Sequence, residues 1–313
     1  MDKIMHIVEY SRRGPLWKLV DGLTAFPNHF LLETKEQYID LAQYSPNTFF
    51  IFHTTGKDFP MISSLGNFLS QRKKCAVFIH TLPDYIIQKG YPKFMGYISK
   101  IQKQYGCKVI VPSNMACEMF KTYDIFCKVV NLGIPSIKEL KRNSDLEKYF
   151  GKIVTVSTKD TDEYKYAKGV DRFYEVVKRC GLESESIVLG NNGGIVGNIM
   201  NIRFPHDDFL SVLANAKAYV QLSRSESYNI SVIEAKQLHV PVIVSDVAGH
   251  KDSVKDSWCR VKSINEATEK LHAILNQYST ILRHVNYNYA MSIVDENIFA
   301  FRRRIESAIG ELE

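Results

Sequence analysis

Two glutamates, Glu226 and Glu234, stand in the stretch Ser223-Arg-Ser-Glu-Ser-Tyr-Asn-Ile-Ser-Val-Ile-Glu-Ala-Lys236. It reads as a strand end, a polar turn and a helix that begins near Ile230 or Ser231. A strand end that runs into a helix N-terminus is where open α/β sheets bind anionic ligands. The unsatisfied N–H groups around Asn229, Ile230 and Ser231 would form a phosphate cradle. Two carboxylates beside such a cradle call for a ligand that also offers hydroxyls. A nucleotide sugar offers both, with phosphates for the backbone and sugar and ribose hydroxyls for the acids.

Glu234 reads in two ways. Ser231-Val-Ile-Glu234 fits a capping box, in which the serine caps the helix and the glutamate reaches back; the acid also suits a ligand in the cleft. Glu226 is either a solvated loop acid or a ligand group. Lys168, in Tyr166-Ala-Lys-Gly-Val-Asp171, is read as lying just ahead of a helix with Val170, Phe173 and Val177 on one stripe. A cation there opposes the helix dipole, which points to a bound anion; a solvated lysine beside Lys165 is the plain alternative. Gly190-Asn-Asn-Gly-Gly194 is a glycine turn after a strand. His80 ends the strand Val77-Phe-Ile-His, and Ser11-Arg-Arg-Gly-Pro15 follows the first strand. No H-E-x-x-H, EF-hand or Walker sequence occurs.

The elements that must position these residues are legible as alternation. In the first half, short β-rich runs begin at Met5, His29, Thr48, Cys75, Lys108 and Lys128, with helices over Lys93–Gln104 and Ala116–Tyr123. The pattern restarts after Asn131-Leu-Gly-Ile-Pro135 and the charged segment 138–148. Strands then begin at Lys152, Ser186, Asn201, Ala218 and Pro241, with helices over Val170–Cys180, Phe209–Ala216 and Val232–Leu238. This implies an α/β protein of two doubly wound domains with mostly parallel sheets and a ligand cleft between them. A length of 313 residues allows each domain its own core. The expected divisions are residues 1–140, 141–285 and a helical tail, 286–313.

Charge is unevenly shared. Residues 1–150 carry a net +7 and the remainder −1, within a total of +6. A basic first half favours anionic partners such as phosphates or lipid headgroups. The six cysteines form no C-x-x-C pair, which points to free thiols in a reducing cytoplasm. The N-terminus has no signal-peptide layout, and no apolar run is long enough to span a bilayer.

The run from Ser223 through Gln237-Leu-His-Val-Pro-Val-Ile-Val-Ser-Asp-Val-Ala-Gly249 resembles the donor-site signature of retaining glycosyltransferases of the GT-B fold, family 4, the group 1 glycosyl transferases. The likeness departs from the signature where Ser227 and Asn229 stand for its glycines. It implies two Rossmann-like domains facing each other, the first binding an acceptor and the second a donor, with the tail crossing back to the first. By resemblance Glu226 lies at the donor sugar, Glu234 holds the ribose, and Lys168 meets the pyrophosphate. Lys159 stands in for an upstream arginine, and Gly190 and Asn191 line the donor site. The backbone of Arg203 and Phe204 meets the base, and Asn229, Ile230 and Ser231 meet the phosphates. His80 lies near the reacting sugar; Arg12, Arg13, Gly14 and Ser113 line the acceptor side. The implied reaction moves a hexose-type sugar, from a UDP-sugar by preference, to a glycan or glycolipid in cell-surface polysaccharide or glycolipid synthesis. It retains anomeric configuration and needs neither metal nor cofactor. The expected partners are the nucleotide-diphosphate sugar, a glycan or lipid-linked acceptor and an anionic membrane surface, not nucleic acid. The expected location is the cytoplasm, peripheral to the inner membrane face. A sugar-nucleotide epimerase of the same fold and a non-catalytic glycosyltransferase-like subunit are the alternatives.

Overall fold

The structure is a computed structural model that describes residues 3–9, 15–34, 44–45, 47–54, 65, 69, 74–88, 91, 93–137, 140, 143–157, 161–190, 194–196 and 198–310. The chain divides into two compact units. One comprises Met1–Pro135 with Ile298–Glu313, the other Ser136–Asn297.

In the first unit the described residues form a six-stranded sheet in the order β2-β1-β3-β4-β5-β6. Its strands are β1 Lys3–Glu9, β2 His29–Thr34, β3 Thr48–Thr54, β4 Cys75–Ile79, β5 Lys108–Val111 and β6 Cys127–Val129. Every described pairing in it is parallel. Parallel strands covered by helices on both faces must be apolar throughout, and β3 and β4 are buried along their whole length. The expected helix over Lys93–Gln104 is found at Lys93–Tyr105, burying Phe94, Met95, Ile98 and Ile101. The helical tail divides between the units. Tyr278–Val294 stays in the second, and Ile298–Gly310 belongs to the first. There Phe301 meets Phe78 and Phe299 meets Phe26, and the Arg304 guanidinium donates to the Asn131 carbonyl at 3.0 Å.

The second unit holds a seven-stranded sheet in the order β13-β12-β11-β7-β8-β10-β9 among its described residues. These strands are β7 Ile153–Val156, β8 Ser186–Leu189, β9 Gly194–Val196, β10 Ile199–Ile202, β11 Ala218–Gln221, β12 Val242–Ser245 and β13 Arg260–Val261. Only β9 is antiparallel among the described pairings. The strand order reverses between β7 and β11. From β7 the chain winds outward through β8 to β10, then returns to β11 and winds the other way. Such a reversal splays the loops at the carboxyl ends of the two central strands and opens a crevice there.

All six cysteines are unbridged. Among the described residues no helix is long and apolar enough to cross a membrane.

The first sheet buries histidines where an apolar face is the rule. His6, His29 and His53 are 0%, 2% and 1% exposed. Burial holds the pKa of His6 and His53 well below 6.5, with neighbouring histidines adding to the effect, and burial also lowers that of His29. The folded chain therefore keeps them neutral while the unfolded chain protonates below about pH 6.5. Their contribution to stability is complete above that pH and is lost as pH falls toward the folded values. Each contributes a slope of up to about 1.4 kcal/mol per pH unit in that window. Urea midpoints should fall steeply from pH 7 to pH 5, before ordinary carboxylates titrate. A flat midpoint over that range would contradict this assignment.

Candidate functional site

The turn between β11 and the helix Ile230–Gln237 lies at the reversal point of the second sheet. Asn229 caps this helix in extended backbone (φ −104°), its Oδ1 accepting the Val232 N–H at 3.3 Å. Of the two readings of Glu234, the capping box with Ser231 is therefore not met. Ser231 is the second helical residue, and Glu234 sits a turn further on. Asn229 also needs no unusual backbone angle; its side chain is used for the cap. Glu234 is 6% exposed, and its Oε1 lies 3.2 Å from His206 Nε2.

Lys168 lies, as read from the sequence, just ahead of the helix Val170–Arg179, but it has a second position. It is the last residue of a helix, Asp162–Lys168, that the hydrophobic pattern did not reveal. A lysine at a helix C-terminus suits the dipole, so no bound anion is needed to explain it. Its Nζ lies 2.5 Å from Glu226 Oε2, and the Ser223 hydroxyl donates to the same oxygen at 3.4 Å. Glu226 is 7% exposed; it is not a solvated loop acid. The structure thus joins Glu226 and Lys168 directly.

Two glycines outside the glutamate motif make this possible. Gly169 follows Lys168 in left-handed backbone (φ 69°), ending one helix and starting Val170–Arg179. A Cβ there would lie 1.9 Å from the Leu222 carbonyl oxygen. A Cβ on Gly249 would lie 2.0 Å from the Glu226 carbonyl oxygen. The Leu222–Ser227 backbone is therefore pressed against two other backbones that only glycine admits.

Polar side chains lock the same turn. Gln221 Nε2 donates to the Lys168 carbonyl at 2.7 Å, while its Oε1 accepts the Tyr219 hydroxyl and the Val156 N–H. Tyr219 is fully buried; burial first, then the Glu226 and Glu234 carboxylates, push its pKa well above 10. Arg224 donates to both Asp171 oxygens, at 2.7 and 2.6 Å, and lies over the Tyr166 ring. The Ser245 hydroxyl donates to the Ser223 carbonyl at 2.5 Å. His250, which the sequence reading passed over, is completely buried, and burial lowers its pKa to about 4. Its neutral ring donates through Nδ1 to the Ser245 carbonyl at 3.0 Å and accepts through Nε2 from Asn229 at 3.3 Å. His250 closes a loop of contacts from β12 to the helix cap. Its histidine identity was visible at the carboxyl end of a predicted strand, but its partner was not.

Gly190 ends β8 with φ 94° and donates its N–H to the Ile202 carbonyl. Arg203 is exposed and Phe204 half-buried against the Tyr149 ring. In the first unit, His80 is half-buried just past β4, its Nε2 2.9 Å from His53 Nδ1; burial lowers its pKa to about 3. Ser113 caps the helix Asn114–Lys121 by accepting the Ala116 N–H. Arg12, Arg13, Gly14, Lys159 and Asn191 lie outside the described residues. Among the described residues no cluster of histidine, cysteine or carboxylate side chains has a metal-holding arrangement.

The reversal point therefore brings together a helix N-terminus, a lysine paired with one buried carboxylate, and a second carboxylate beside a histidine. N–H groups and a cation suit phosphate, and carboxylates accept from hydroxyls.

Residues 197–291 match the family model described as "Glycosyl transferases group 1". A curated relative, the N,N'-diacetylbacillosaminyl-diphospho-undecaprenol alpha-1,3-N-acetylgalactosaminyltransferase of Campylobacter jejuni, is 26% identical over 154 residues. That match covers 43% of this chain and 40% of the relative, so it spans less than half of either. Solved structures match over nearly the whole length. Anabaena HepE in complex with UDP-glucose has a TM-score of 0.71 at 11% identity, covering 99% of both chains. Sucrose-phosphate synthase from Thermosynechococcus elongatus has a TM-score of 0.72 at 13% identity, covering 100% of this chain and 99% of that one.

Gly249→Ala should displace the Glu226–Ser227 peptide and destabilise the second unit by about 1–3 kcal/mol, the usual cost of forced overpacking. Gly169→Ala adds an unfavourable backbone conformation and should cost at least as much. Chemical denaturation measures both, and an unchanged midpoint in either would refute the close approach. The chain has the α/β GT-B fold, and residues 197–291 of its second unit are similar to the family described as Glycosyl transferases group 1.

Proposed function

We propose that the protein is a retaining glycosyltransferase that moves a hexose-type sugar from a nucleotide diphosphate to a glycan or glycolipid. UDP is the favoured nucleotide. The observation that carries this reading is the gathering of Glu226, Lys168, Glu234 and a helix N-terminus at the reversal point of the second sheet. Anabaena HepE, a structural neighbour, binds UDP-glucose, and the Campylobacter jejuni relative is named for a diphospho-undecaprenol-linked acceptor. The first supports a nucleotide-sugar donor, and the second a lipid-linked acceptor. The basic first half of the chain suits a phosphate-bearing acceptor at an anionic membrane surface.

In this mechanism the Ile230 and Ser231 N–H groups and Lys168 Nζ stabilise charge on the departing diphosphate. Lys168 supplies the positive charge that a metal would otherwise bring, and Glu226 holds that lysine in place until phosphate arrives. Glu226 then accepts from a sugar hydroxyl and orients the ring, while Glu234 accepts from the ribose hydroxyls. The acceptor oxygen bonds to the anomeric carbon on the face the diphosphate leaves. The acceptor's proton passes to the leaving phosphate oxygen, so no residue serves as nucleophile.

A non-catalytic binding role draws on one observation: Lys168 and Glu226 already satisfy each other. Thermal-shift screening against UDP-, GDP- and ADP-sugars, followed by an assay with lipid-linked acceptors, separates the two readings. A stabilising UDP-sugar that is turned over supports the transferase; binding without turnover supports the binding role. Glu234→Ala should weaken UDP-sugar binding by roughly 10- to 100-fold, the loss of charge-assisted hydrogen bonds. Glu226→Ala should weaken it less and reduce turnover more. Equal donor affinity in the two variants by calorimetry would sink the assignment of the ribose to Glu234.

A further inference from the structure

Four histidines form a continuous hydrogen-bonded line across the first sheet. His29 Nδ1 lies 2.8 Å from His6 Nε2. His6 Nδ1 lies 2.9 Å from His53 Nε2, and His53 Nδ1 lies 2.9 Å from His80 Nε2. The register explains the line. His29 is paired with Ile4, and His6 is two residues on; His6 is paired with Ile51, and His53 is two residues on; His53 is paired with Phe78, and His80 is two residues on. A step of two keeps each ring on the same face while moving it one strand across. Successive ring centroids are 5.2, 5.2 and 5.1 Å apart from His29 to His80. It starts at the first residue of β2 and ends past the carboxyl end of β4, the ligand edge of such a sheet.

The far end has a charged terminus. His29 Nε2 lies 3.2 Å from Glu306 Oε1, on the helix Ile298–Gly310. Arg302 Nε lies 3.5 Å from the same oxygen. An ionised carboxylate only accepts, and a neutral imidazole has one donor and one acceptor nitrogen. His29 must therefore donate through Nε2 and accept through Nδ1. The same choice is then forced on His6, on His53 and on His80. A protonated ring within the line would set two N–H groups against each other, and burial keeps the rings neutral.

We propose that Glu306 fixes the tautomer of His80 from the opposite edge of the sheet, through His29, His6 and His53. His80 is thereby held as the Nε2–H form, with Nδ1 as its acceptor nitrogen. Glu306, His29, His6 and His53 are positioning residues. A role for His80 near a reacting sugar rests on the glycosyltransferase reading above; the tautomer itself does not.

Ring-nitrogen NMR of the full chain labelled with ¹⁵N-histidine tests the relay without substrate. All four rings should show a protonated Nε2 and an unprotonated Nδ1. Glu306→Ala should abolish the single tautomer at His80, at the other end of the four rings, and Glu306→Gln should restore much of it, because its amide oxygen can accept from His29. His6→Phe interrupts the line and should give His80 the same mixed signature with Glu306 intact. An Nδ1–H ring in the parent protein, or a His80 signature unchanged in Glu306→Ala, would overturn the proposal. If the signatures behave as expected and no sugar is transferred, the relay stands and the glycosyltransferase reading fails.

Discussion

The turn after β11 exists because three stretches of backbone meet at less than side-chain distance. Gly169 lies under the Leu222 carbonyl and Gly249 under the Glu226 carbonyl. Between them the Leu222–Ser227 segment has little freedom, and the direction of the Glu226 side chain follows. Ser227 and Asn229 stand where the signature this run resembles has glycine, and in this chain the tight contacts are made by Gly169 and Gly249 instead. Asn229 replaces lost backbone freedom with a side-chain cap. Flexibility at the turn is thus exchanged for complementarity against its neighbours.

The following helix carries two buried charges. Val232, Ile233, Glu234, Ala235 and Lys236 are all buried, so the helix has no solvated face along that run. Glu234 meets His206. Lys236 donates to the Ser253 carbonyl at 2.6 Å and pairs with Glu296, which lies just before the chain returns to the first unit. Glu296 also accepts from the Tyr228 hydroxyl at 3.5 Å. A buried lysine is tolerable only with such full satisfaction, and here it ties the helix to residue 296, next to the Asn297–Ile298 junction.

Alternation of short apolar runs and helical stripes was enough to expose the two parallel sheets, since strands buried on both faces are conspicuous. Glu226 was legible because a carboxylate in a strand-to-helix turn has few ordinary uses. Lys168 was rightly placed ahead of the helix Val170–Arg179, but the helix it ends was missed, because Asp162–Lys168 buries none of its residues and hydrophobic periodicity had nothing to register. The capping box failed for a related reason: Asn229 and Ser231 are both good caps, and two positions decide between them only through the path of the preceding loop. Gln221, Tyr219 and His250 were invisible as a group because their contacts depend on which strands are neighbours. The four histidines each fell in or beside a predicted strand. Only the two-residue stagger between adjacent strands shows that they touch.

That stagger makes the histidines interdependent. A typical buried apolar face tolerates exchange of one member at a time, because each side chain asks only for volume. In the histidine line every ring satisfies a nitrogen on its neighbours, so an apolar replacement at His6 or His53 leaves two buried polar atoms without partners. Gradual conversion to an ordinary core is blocked by its intermediates. The line is therefore inherited or discarded as a block, and the C-terminal helix that carries Glu306 is bound to the same fate.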